Sequence, residues 1–144
     1  MWEVIARECI RETVATYSHC GDSGRFDEMI ECFAPDGILE VQGETRLEGR
    51  AAIRQFLDRV SDDLAAHAPV RMLRHHVSNL TISFPSPTEA RAASYFLAIT
   101  ANGPDHWGRY RDHLVPVGDR WLFAHRFVRT DDSVAGGFAA TRQP

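Results

Sequence analysis

Apolar residues recur at three- and four-residue steps from the start of the chain. Trp2, Ala6, Cys9, Ile10, Thr13, Val14 and Tyr17 form one stripe of a helix over about residues 2–20, which turns Tyr17 inward. Gly21-Asp22-Ser23-Gly24 reads as a break and offers Asp22 or Ser23 as the N-cap of a second helix, in which Phe26, Met29, Ile30 and Phe33 share a face. Pro35-Asp36-Gly37 ends that helix. A short strand at 38–42 and a Gly43-Glu44-Thr45 turn lead to Gly49, after which Ile53, Phe56, Leu57, Val60 and Leu64 mark a third helix closed by Pro69.

From Val70 onward β-branched and aromatic residues dominate. Strands are predicted at about 70–84, 89–100, 107–117 and 120–130, separated by Pro85-Ser86-Pro87, Asn102-Gly103-Pro104 and Gly118-Asp119. Parallel strands would need crossovers of a dozen or more residues, so these short gaps indicate an antiparallel meander. Helices first and sheet second is the α+β pattern, with three N-terminal helices packed on a mainly antiparallel sheet. Residues 1–131 read as one domain, and 132–144, with Gly136-Gly137 and small neighbours, as a flexible C-terminal tail.

Composition narrows the function classes. Hydrophobic residues make up 44% and charged residues 25% of 144 positions, an ordinary globular balance. The net charge of −4 and scattered Lys and Arg give no electrostatic footprint for nucleic acid. No apolar run approaches the roughly 20 residues of a membrane span, and acids within the first ten residues do not fit a secretory signal. Cys9, Cys20 and Cys32 are an odd set without Cys-x-x-Cys spacing, which fits reduced cysteines and a cytoplasmic location.

Several motifs occur in a telling order: Tyr17 with Asp22 five residues on, Phe33-Ala34-Pro35-Asp36-Gly37, then Gly49-Arg50 before Ile53 and Phe56. Arg74-His75-His76-Val77-Ser78-Asn79, Gly108-Arg109-Tyr110-Arg111-Asp112 and Trp121 through Arg126 follow. Together, over about residues 5–130, they resemble SnoaL-like proteins of the nuclear transport factor two superfamily. The resemblance implies a cone-shaped α+β fold with a curved sheet. Bile acid dehydratase and scytalone dehydratase, in that superfamily, are similar in setting an acid near the end of the first helix against a histidine on the long strand. Asp22 and His75 match those two residues, and Tyr17 matches a tyrosine of the bile acid enzyme. The resemblance therefore implies a cofactor-independent lyase of dehydratase type, acting on an apolar, polycyclic or polyketide-like molecule. A cyclase or isomerase of the same fold, or a non-catalytic binding or accessory subunit, is the alternative.

Removing a proton beside a carbonyl and expelling a β-hydroxyl needs a base of near-neutral pKa, a group that fixes its tautomer and an acid for the departing oxygen. His75, Asp22 and Tyr17 can fill these roles, and no metal or organic cofactor is needed. Each has a plainer reading: Asp22 as a helix cap, His75 as a core or surface histidine, Tyr17 as core. Strict alternation puts His75, Val77, Asn79 and Thr81 on one face and His76, Ser78, Leu80, Ile82 and Phe84 on the other, which would send His76 inward. A bulge in so long a strand would reverse that. Asn79, Tyr110, His125, His76 and Asp112 are further candidates for substrate contact. Alternation on the last strand groups Trp121, Phe123, His125, Phe127 and Arg129. No histidine pair has metal-ligand spacing. An open sheet with exposed Trp, Phe and Val also predicts a homodimer.

Overall fold

The first helix runs further than its glycines suggest. In the computed structural model, which describes residues 1–44, 46–68 and 71–142, α1 spans Trp2–Ser23 and passes straight through Gly21. A glycine in a helix interior costs only about 1 kcal/mol, and here it has a packing use: a Cβ at Gly21 would sit 3.0 Å from Met29 Cε. The helix stops at Gly24, which takes the left-handed conformation (φ 72°) while the Arg25 amide reaches back to the Cys20 carbonyl at 2.9 Å. Asp22 thus belongs to the last turn of α1. The expected capping role falls away, because the residue preceding α2 (Phe26–Ile30) is Arg25 and no side chain caps that helix.

β1 spans Phe33–Val41, longer than predicted because the chain through Pro35-Asp36-Gly37 is already extended, with an irregular register against β6 between Phe33 and Ile38. β2 (Leu47–Glu48) precedes α3 (Arg50–His67), which buries Ile53, Phe56, Leu57 and Leu64 as its periodicity requires. The meander follows as β3 (Leu73–Ser86), β4 (Glu89–Thr100), β5 (Gly103–Val117) and β6 (Arg120–Ser133). Thr45, the Pro69 helix end, the strand start at Val70 and the last two residues lie outside the described residues.

The six strands form one curved, open sheet in the order β2-β1-β6-β5-β4-β3. All neighbours are antiparallel except β1 and β6, which are parallel. The sheet wraps around a core joining Ile10, Val14 and Tyr17 of α1 to Ile53 and Phe56 of α3 and to Phe33, Leu39, Leu114 and Phe123. No helix among the described residues is long and apolar enough to cross a membrane.

Bulges decide which side chains face that interior. On β3 the pairing slips between Ser78 and Thr81, and Asn79 adopts φ 57°. Ser78 and Asn79 both point out, so His75 and Val77 face inward before the bulge, and Leu80, Ile82 and Phe84 after it. On β6 the register skips Ala124, and the inward set changes from Phe123 to Arg126, Val128 and Thr130. The segment after β6 is not the free tail expected from its glycines. Phe138 is 5% exposed, and the Phe138 and Ala139 amides donate to the Asp105 carboxylate at 2.7 and 3.1 Å.

Candidate functional site

Between the helices and the inner face of the sheet lies a cavity of about 540 Å³. Phe26 and Met29 of α2, Phe56 and Leu57 of α3, Leu39 of β1 and Phe96 of β4 give it largely apolar walls. Tyr17, His75, His106 and Tyr110 supply polar groups along one side.

His75 and Asp22 form the first of two histidine–carboxylate pairs. Because β3 is an edge strand, amides on its outer side have no ladder partner, and the last turn of α1 fills one such vacancy with Asp22. One carboxylate oxygen accepts the His75 backbone N–H at 2.9 Å, and the other lies 2.6 Å from His75 Nδ1. A carboxylate on Nδ1 selects the tautomer with its proton there and leaves Nε2 as the basic nitrogen. No described protein group bonds that nitrogen.

The second pair is absent from the sequence reading. Asp105 is a bulged residue of β5, since the β4 register passes from His106 directly to Pro104. The bulge aims its carboxylate beside its neighbour's ring, with Oδ2 2.7 Å from His106 Nδ1. The rings of His75 and His106 stand 6.3 Å apart at 82°, each also against Phe96. Burial holds His106 below the ordinary imidazole range, opposed by the Asp105 hydrogen bond and reinforced by His75. Burial alone would raise the Asp105 carboxyl, but the His106 ring and the Phe138 and Ala139 amides together hold it low. Two adjacent residues forming a pair leave no periodic signature; only the Asp-His dipeptide was there to be noticed.

Behind these pairs sits Arg126, fully buried, its Nε and Nη2 donating to Asp112 at 2.8 and 2.9 Å. Its guanidinium lies 4.3, 3.9 and 4.1 Å from the ring centres of Tyr17, Tyr110 and Phe123. Burial raises the Tyr17 phenol, which the Arg126 charge partly offsets, and burial also raises Tyr110. Both phenols are therefore protonated donors at neutral pH.

The candidates for substrate contact separate accordingly. Tyr110 lines the cavity. Asp112 does not, because both its oxygens are spent on Arg126. His76 and Asn79 are exposed on the far side of β3, displaced by the bulge. The β6 bulge likewise puts His125 on the outer face, 2.9 Å from Glu40. Among the described residues no three His, Cys, Asp or Glu side chains gather in a metal-binding arrangement.

Known proteins share this architecture. A proposed scytalone dehydratase from Novosphingobium aromaticivorans superimposes with a TM-score of 0.80 at 26% identity over 92% of this chain and 89% of that one. A Catenulispora acidiphila protein in complex with S-DNPA matches at 0.72 and 29% identity, over 85% of this chain and 90% of that one. LinA matches at 0.80 over 94% and 96% of the two chains, but at 15% identity it shows the fold alone. No curated protein sequence matches the chain. The SnoaL-like domain profile matches residues 2–127, nearly the whole α+β unit, and the chain belongs to the SnoaL-like domain family.

Proposed function

We propose that the protein is a cofactor-independent lyase of dehydratase type, working by general acid–base catalysis on an apolar small molecule. The observation that carries this reading is the Asp22–His75 pair, with the Nδ1 side of the ring held at 2.6 Å and the ring set in the wall of an apolar cavity. His75 Nε2 takes a proton from carbon beside a carbonyl, and Asp22 stabilises the imidazolium that forms. Tyr17 then protonates the departing oxygen, with Arg126 behind it favouring the phenolate it becomes. His106, opposite His75, is placed to hold or relay the same proton. The cavity favours a ring-containing substrate with few polar groups. The likeness to a proposed scytalone dehydratase supports elimination over isomerisation or cyclisation.

The test is a thermal-shift screen against polycyclic and polyketide-type β-hydroxy ketones, followed by turnover of each ligand found. Loss of water from one such ketone by the native protein, and not by His75→Ala, supports the reading. A ligand that binds and is never converted favours a binding or accessory subunit instead. The same reading includes a cytoplasmic setting, with which three free cysteines are consistent. It also includes a homodimer formed through the outer sheet face, where Tyr95 and Trp107 are 53% and 37% exposed. Sedimentation at micromolar concentration checks this, a lone 16.2 kDa species being the contrary result.

A further inference from the structure

Residues 134–140 turn back over the cavity after β6, and nothing in the proton-transfer reading uses them. Phe138 is buried to 5% exposure, its ring 5.9 Å from that of His67 on α3, and Phe138 and Ala139 form part of the cavity wall. Three backbone amides of the strap are tied to one residue. The Val134 amide donates to the Asp105 carbonyl at 2.8 Å, the Phe138 amide to Asp105 Oδ1 at 2.7 Å and the Ala139 amide to Asp105 Oδ2 at 3.1 Å. That same Oδ2 lies 2.7 Å from His106 Nδ1. Gly137 completes the fit, since a Cβ there would meet Asp105 Oδ1 at 2.8 Å.

We propose that residues 134–140 are a lid over the cavity and that Asp105 is its latch, a positioning residue whose carboxylate the lid shares with the His106 ring. A carboxylate has only two oxygens, and here they serve three donors, so the ring and the strap are bound to one group. With the lid down, Asp105 is crowded with donors and the His106 side chain is only 13% exposed. With the lid up, the carboxylate is left to His106 and water reaches the ring. Both changes favour the protonated imidazole, so a proton on His106 favours the open lid. The titratable groups around His106 are Asp105 on its own strand, Tyr110 further along it, His75 of β3 with Asp22 of α1 behind it and, across Phe138, His67 of α3. Of these His75 opposes protonation whether the lid is open or closed.

This coupling goes beyond the lyase reading and is tested without substrate. Imidazole nitrogen NMR and amide exchange are compared for the full chain, Asp105→Asn, Gly137→Ala and a chain ending at Ser133. The full chain should show His106 protonated at Nδ1, with slow exchange at the Phe138 and Ala139 amides. Gly137→Ala keeps Asp105 but pushes the strap off it, so those amides should exchange at least about tenfold faster. In that variant and in the shortened chain the His106 midpoint should rise by about one pH unit. In Asp105→Asn the side-chain amide donates where the carboxylate accepted, and His106 should move toward the Nε2–H tautomer. An unchanged His106 midpoint in both strap variants overturns the coupling. Unchanged Phe138 and Ala139 exchange in Gly137→Ala overturns the latch. Should Asp105→Asn fail to fold, those two variants decide both points.

Discussion

Arg126 and Asp112 form a fully buried ion pair, and Asp112→Asn isolates it. Both side chains have no solvent exposure, and the two charge-assisted bonds measure 2.8 and 2.9 Å. The substitution keeps the volume of residue 112, so no cavity opens. It removes the counter-charge and sets an amide donor against one of the guanidinium N–H groups. Asp112 holds the guanidinium pKa above its ordinary value against the effect of burial; an arginine side chain keeps its charge in proteins, so in the variant Arg126 stays charged without its partner. Three aromatic rings within 4.3 Å soften this through cation–π attraction, about 0.5–2 kcal/mol each, but they are present in both proteins. Breaking a buried pair by removing one member costs about 3–5 kcal/mol, against roughly 5–15 kcal/mol for a whole domain. At this chain length that corresponds to a fall in Tm of roughly 10–20 °C. Urea unfolding followed by tryptophan fluorescence measures the loss directly. A cost below about 1 kcal/mol would refute the reasoning, since the charge would then have reached water or another partner. Replacing both members together, as Asp112→Leu with Arg126→Met, should recover much of the deficit because no charge is left buried.

Further outcomes follow from the same geometry. His75→Ala should lower turnover of a proven substrate by about 10²- to 10⁴-fold, with Asp22→Asn next and Tyr17→Phe mildest at about 10- to 10³-fold; full turnover in all three would move the proton-transfer site elsewhere. His106 has a folded pKa below its unfolded value, so its contribution to stability is complete above about pH 6.5 and fades as pH falls toward the folded value. Asp105, also depressed, adds a further loss below about pH 4, as its folded pKa is approached. The urea midpoint should therefore drop from pH 7.5 to pH 5, and His106→Gln should flatten that drop; an equal drop in the variant contradicts the assignment. At Asn79 the φ of 57° suits glycine, so Asn79→Gly should be near neutral and Asn79→Val should cost about 1–2 kcal/mol in the same assay. Equal stabilities would argue against the bulge.

Local pattern alone carried much of the architecture. The stripe of Ile53, Phe56, Leu57, Val60 and Leu64 specifies α3 because burial on a helix repeats every three to four residues; Val60 is half-buried and the other four are buried. The meander was legible for a similar reason: turn residues punctuate β-rich runs, and β4 falls at 89–100 as read. The spacing of Tyr17, Asp22 and His75 was visible, though only as a likeness to a family. What tertiary structure decided is where pattern and packing disagree. Gly21 reads as a helix stop in isolation and is a helix interior because Met29 packs on it. His75 faces the cavity, and His125 and Asn79 do not, because bulges on β3 and β6 change phase, and the register that makes a bulge is set by the neighbouring strand. Phe138 sits among small, flexible residues and is buried because Asp105, 33 positions earlier, binds its amide. Arg126 looks like a surface cation until Asp112 and three rings enclose it. In each case the deciding contact joins residues distant in sequence, and periodicity reports only what neighbours along the chain share.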